Sequence, residues 1–128
     1  MSREIRLGII TGNHYPRLGG MEFQYHALAM ALARCPRLSL ALACSTMPDV
    51  PRDFSYPYKV YRSASFSILT RFLVRKNIEK MIREGKVNVL HGATLHGSGV
   101  DAVQAGKRFD LPVVVQSHHG ELDIQSPS

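Results

Sequence analysis

The sequence predicts an α/β domain with a doubly wound, mostly parallel sheet covered by helices on both faces. Three observations lead there. Short runs of nearly unbroken apolar residues, in residues 5–11, 38–44, 87–90 and 113–115, match strands buried on both sides. Between them lie longer stretches whose apolar residues return with the helical period of about 3.6 residues. The two kinds of segment alternate in the order β-α-β-β-α-β-α-β, the pattern of a parallel sheet with crossover helices. With 128 residues, 45% of them hydrophobic and 20% charged, there is chain enough for one domain with a real core.

Residues 5–11, Ile-Arg-Leu-Gly-Ile-Ile-Thr, run into Gly12 and the turn-prone Asn13-His14-Tyr15-Pro16, so a first strand gives way to a loop. After Gly19-Gly20, the residues Met21, Tyr25, Leu28, Ala29 and Leu32 share one face of a helix that Pro36 stops. Residues 38–44 make the second strand, and 58–62 read as a third after a Pro-rich loop from Met47 to Pro57. From Phe66 to Glu84 a second helix carries Val74, Ile78, Met81 and Ile82 on one stripe and Lys76, Lys80 and Arg83 opposite, with Gly85 placed to end it. Residues 87–90 are a buried strand, 98–109 an Ala-rich helix and 112–116 the last strand. Residues 1–128 therefore read as one Rossmann-like domain without repeats or linkers, with 125–128 as a flexible tail.

The formal net charge of +6 is local. Between Lys59 and Lys86, eight basic residues stand against Glu79 and Glu84, so this segment holds the whole excess. A confined excess suits a single anionic partner face or a solvated helix, and no aromatic residues interleave with it as a nucleic-acid platform requires. An anionic membrane surface is the leading functional reading of Lys76, Lys80 and Arg83. No apolar run approaches the roughly 18 residues of a spanning helix, and Met1-Ser2-Arg3 leads straight into the first strand, so a cytoplasmic chain is expected, at most peripheral to a membrane. Two cysteines, Cys35 and Cys44, do not make a disulfide scaffold, and thiol chemistry is not expected.

In an open parallel sheet, ligands bind beyond the carboxyl ends of the strands, where loops and helix N-termini converge. The unusual residues fall there: Asn13, His14, Tyr15, Gly19 and Gly20 after the first strand, His91, Gly92 and His96 after the fourth, and His118, His119, Gly120, Glu121 and Asp123 after the fifth. Gly19 and Gly20 lack Cβ atoms just before a helix, which lets backbone amides at the positive end of its dipole approach a phosphate. The pair forms neither G-x-G-x-x-G nor a Walker loop, which disfavours an ordinary dinucleotide or ATP site. His91 with one of His118 and His119 could ligate a transition metal, but no zinc spacing is present, and hydrogen bonding or proton transfer near neutral pH is the stronger expectation. His26 reads as a packed helix residue, and Asp101 as a first-turn acid that complements its helix dipole.

Taken together, Pro16-Arg17-Leu18-Gly19-Gly20-Met21-Glu22 after the first strand, Val87-Asn88-Val89-Leu90-His91 in mid-domain, and Val113-Val114-Val115-Gln116-Ser117-His118-His119-Gly120 at the fifth strand resemble one family. It is the N-terminal domain of retaining GT-B glycosyltransferases, in the glycogen-synthase-like and mannosyltransferase-like branch often called family four. The resemblance spans residues 5–121. It implies that Gly19 and Gly20 approach the donor's phosphates, that Glu22 is the acid following that loop, and that His119 and Gly120 sit beside the transferred sugar, with Ser117 in place of the commoner threonine. His91 matches the family's fourth-strand histidine, whereas Ala93 stands where many members carry another. Glu121 completes the substrate-binding set.

The resemblance implies the acceptor-side half of a retaining glycosyltransferase, moving a sugar from a nucleotide-sugar donor to a sugar or lipid-linked acceptor. The donor would be shared with a C-terminal domain absent from these 128 residues, so this chain alone is expected to lack activity. No cofactor or metal is expected. A second reading is a stand-alone α/β module that binds an anionic ligand or membrane headgroup through Lys76, Lys80 and Arg83. A third is an unrelated Rossmann-like metal enzyme built on the histidines.

Overall fold

The computed structural model describes residues 4–16, 19–45, 51, 54–64, 70–95 and 97–117. Among the described residues, eight elements follow the expected order: β1 (Ile5–Ile10), α1 (Gly20–Leu32), β2 (Leu38–Ser45), β3 (Lys59–Ser63), α2 (Arg71–Gly85), β4 (Val89–Gly92), α3 (Ser98–Phe109) and β5 (Val113–Val115). All five strands are parallel, in the order β3-β2-β1-β4-β5. The chain winds outward from β1 to β3, returns over the sheet with α2, and winds outward again to β5. Reversing the winding direction moves the crossover to the opposite face. The fold is thus α/β and Rossmann-like, as the patterning predicts.

Residue alternation along the strands fills both faces. On one face Ile9, Leu42 and Cys44 pack with Tyr25 of α1, with Leu7, Leu40, Val60, Met21, Leu32 and Tyr58 around them. On the other, Ile10, Ala41, Ala43, Tyr61 and Leu90 pack with Ile78, Met81 and Ile82 of α2 and Ala102 of α3. The predicted α2 stripe is the buried one. In α1, Tyr25 and Ala29 are buried while Leu28 is 37% exposed. Small residues bring α3 close to the sheet: a Cβ added at Gly92 would stand 2.8 Å from the Gly99 Cα and 3.1 Å from the Ala102 Cβ.

Two boundaries differ from the sequence reading, each for a local reason. The fourth strand spans Val89–Gly92, not 87–90. Its entry is set by Asn88, whose side chain accepts from the Arg6 amide at 2.8 Å and donates to the Glu4 carbonyl at 3.0 Å, while Val87 N–H still bonds Ile82 of α2. His91 therefore lies within the strand instead of beyond its end. The residue that ends α2 in the left-handed conformation is Lys86 (φ 49°), so Gly85 remains helical. The helix expected from Phe66 is described from Arg71 onward, and residues 65–69 lie outside the described residues.

Candidate functional site

The strand order reverses between β1 and β4, and the loops after β1, β4 and β5 meet on the α1 face. Tyr25, in the second turn of α1, ties β4 and the residue after β5 to that helix. Its hydroxyl donates to Gln116 Oε1 at 2.6 Å, just past β5, and lies 3.0 Å from His91 Nε2 on β4. The one hydroxyl proton goes to Gln116, so His91 Nε2 must carry a proton and donate to the Tyr25 oxygen. A longer contact of 3.4 Å reaches the Ala93 carbonyl. Of the sequence-proposed residues, the structure brings His91 into this knot and sets Ser117 directly after Gln116. Sequence reasoning missed Tyr25 and Gln116. Periodicity places Tyr25 on the core stripe, where its ring does sit, and gives no sign that its hydroxyl is shared.

Gly19 and Gly20 open α1 without a side-chain cap. A Cβ at Gly20 would meet nothing within 4 Å, so the space in front of its backbone is open. Gly19 differs. A Cβ there would collide with the carboxylate of Glu22, which folds back over the helix start. Glu22 stands three residues after the N-cap, where a carboxylate complements the positive end of the dipole. Any anion approaching these amides shares the helix end with Glu22.

Beside this rim lies a histidine–aromatic cluster. His14 follows β1 and is fully buried, His26 projects from α1, and Tyr58 precedes β3. His14 Nε2 and His26 Nδ1 both lie 2.7 Å from the Tyr58 hydroxyl. That group has one proton to give, so one histidine accepts from it and the other donates to it. Burial, and secondarily the charge of His26, pull the His14 pKa down to about 4, and burial lowers that of His26. Burial also raises Tyr58, with Tyr56 adding to the shift. Tyr15 stacks on His26 with ring centroids 3.9 Å apart, and Phe54 and Tyr56 close the cluster. His26 is thus part of a polar network, beyond the packing role read from sequence.

On the opposite face, the carboxyl ends of β1, β2 and β3 and the N-termini of α2 and α3 enclose a cavity of about 170 Å³. Asp101 in the first turn of α3 is only 7% exposed and forms an ion pair with Arg71, the first residue of α2. It therefore ties two helices together besides complementing its own.

The basic face divides. Lys76 and Lys80 are exposed and border a groove with Arg62, Ser63 and Leu73. Arg83 instead pairs with Glu79 at 2.8 Å and lies over the Phe109 ring of α3. Contrary to the sequence reading, an aromatic does neighbour the lysines: Phe72, one turn before Lys76, is 59% exposed, and Leu73 is 38% exposed. No helix among the described residues is long and apolar enough to cross a membrane. Cys35 is exposed and Cys44 buried, and burial pushes the Cys44 thiol up to about 12.

His96, His118, His119, Gly120, Glu121 and Asp123, and the tail 125–128, lie outside the described residues. Among the described residues no group of three or more His, Cys, Asp or Glu is placed to hold a metal ion. Comparison with protein-family models and with curated proteins gives no match.

Proposed function

We propose that this chain is the acceptor-side half of a retaining glycosyltransferase, in which a nucleotide sugar lies over the α1 N-terminus and a sugar or lipid-linked acceptor enters at the same rim. The observation that carries the reading is the Tyr25 hydroxyl, which joins β4 and β5 to α1, the helix whose N-terminal backbone is open at Gly20. Amides there stabilise charge on a leaving diphosphate, and fixed groups at the ends of β4 and β5 orient the sugar. His119 would act beside the transferred sugar, with Gly120, Glu121 and Ser117 lining its site. The donor would be shared with a second domain, and the reaction would take place in the cytoplasm. Gly20→Ala provides the test, because its methyl group meets no neighbour and leaves the fold intact. GDP, UDP and ADP titrated into isotope-labelled protein should shift the amides of Gly19, Gly20 and Ser117, and the variant should abolish the shifts. No response to any of the three, or an undiminished response in the variant, refutes the reading.

A second reading is favoured by the exposed pair Phe72 and Leu73 beside Lys76 and Lys80. Apolar side chains next to lysines suit the headgroup boundary of an anionic bilayer. Near such a surface each lysine is worth about 1 kcal/mol, so Lys76→Glu with Lys80→Glu should cut binding to phosphatidylserine vesicles by at least about tenfold. Equal sedimentation of the wild type with neutral and anionic vesicles would exclude it.

A further inference from the structure

We infer that the cavity between the β1–β3 ends and the N-termini of α2 and α3 is a binding site for a neutral polyhydroxylated ring, recognised by the Asp101–Arg71 pair. The cavity lies on the sheet face opposite Tyr25 and the Gly20 loop. It is defined by its own lining and does not depend on the transferase reading.

The floor is apolar, formed by Ile10, Ala43, Val74 and Ile78, and the walls carry polar groups. Asp101 is more than nine-tenths buried, and only its Oδ1 engages Arg71. Its other oxygen, Oδ2, takes no hydrogen bond among the described residues. An ionised carboxylate has about four acceptor sites, so most of its capacity is unused. Arg71 has five N–H donors, spends one on Asp101 and is 40% exposed, leaving several directed elsewhere. Ser63 adds a hydroxyl that makes no hydrogen bond among the described residues, and it lines the same cavity.

An ion pair with a buried carboxylate, and with vacant acceptors and donors side by side, calls for a partner that both gives and accepts hydrogen bonds. A hydroxyl group does this. Two adjacent hydroxyls would place one proton on Asp101 Oδ2 and one lone pair before Arg71, while the ring carbons rest on the apolar floor. A phosphate fits poorly. It is an anion at neutral pH, so Asp101 repels it and offsets the attraction of Arg71 and the helix ends. At about 170 Å³ the space suits a single ring and no larger ligand.

The test uses methyl α-D-glucopyranoside, methyl α-D-mannopyranoside and methyl α-D-galactopyranoside as probes, with binding followed by saturation-transfer NMR and by amide shifts. At least one should bind and shift Ser63, Asn77 and Asp101 amides but not Gly20. Asp101→Asn preserves the size of the residue and a bond to Arg71 while replacing an acceptor by a donor, and should weaken binding at least tenfold. Circular dichroism melts establish that this variant is folded. Should it unfold, Ser63→Val serves in its place and should weaken binding severalfold. Failure of all three glycosides to bind, unchanged binding by the folded variant, or displacement of the sugar by equimolar inorganic phosphate overturns the inference. The diphosphate titration at Gly20 reads a different face, so either proposal can fail alone.

Discussion

Acidification should destabilise this domain through His14, and the size of the effect follows from its burial. A histidine in the unfolded chain titrates at 6.5, whereas His14 in the fold is held at about 4, first by desolvation and then by the charge of His26. Between those values the unfolded chain binds a proton that the folded one refuses, so stability falls as pH drops. The penalty is absent above about pH 7, grows through the interval, and is complete below about pH 4. Each pKa unit corresponds to 1.36 kcal/mol, which makes the full loss about 3 kcal/mol, a large part of a typical domain's stability. Urea unfolding of the wild type and His14→Gln at pH 7.5 and pH 4.5 measures it. The glutamine amide reproduces the bond to Tyr58 but cannot titrate, and carboxylate effects are common to both proteins. The wild type should lose about 2–3 kcal/mol more than the variant on going to pH 4.5. Parallel losses would refute the reasoning, and a smaller loss in the wild type would reverse its sign.

Other outcomes follow from single contacts. Tyr25→Phe leaves His91 and Gln116 without their shared hydroxyl and should cost about 1–3 kcal/mol in urea unfolding. Gly99→Ala drives a methyl group into the Thr94 carbonyl and against Val115, so a loss of about 1–3 kcal/mol should appear as an earlier thermal transition. Glu22→Gln removes the carboxylate from the α1 N-terminus and should tighten the affinity for GDP about twofold to fivefold in calorimetry.

The architecture was legible because burial on both faces leaves its mark locally. Uninterrupted apolar residues along β1 and β2, and the Val74–Ile78–Met81–Ile82 stripe of α2, are short-range patterns with a period of their own. Features missed from sequence depend on partners far apart in the chain. Tyr25 meets Gln116 across 91 residues, and Arg71 meets Asp101 across 30. Neither has a local signature, since a core tyrosine and a first-turn aspartate look the same whether or not a distant group waits for them. The apolar run places the start of β4 two residues early for the same reason: Asn88 serves β1 with its side chain, and composition alone does not distinguish this from strand pairing. Phe72 falls within the helix expected from sequence, but its exposure depends on which neighbours fail to cover it, and the pattern does not record that.

The central position of β1 has a consequence for the order of synthesis. Its first neighbour, β2, follows soon after, but its other edge pairs with β4, and Leu7 must wait for Val89. At about 5–20 residues per second those 82 residues take roughly 4–16 seconds to translate. Once β3 has been made, and until β4 arrives, the nascent chain can carry a β1–β2–β3 ribbon whose β1 edge is unpaired, a template for pairing with another chain. Arrival of β4 closes that edge, with Asn88 bonding Arg6 and Glu4 at its start. Ribosomal pausing before residue 88 would lengthen the vulnerable period, and chaperone demand should be greatest there.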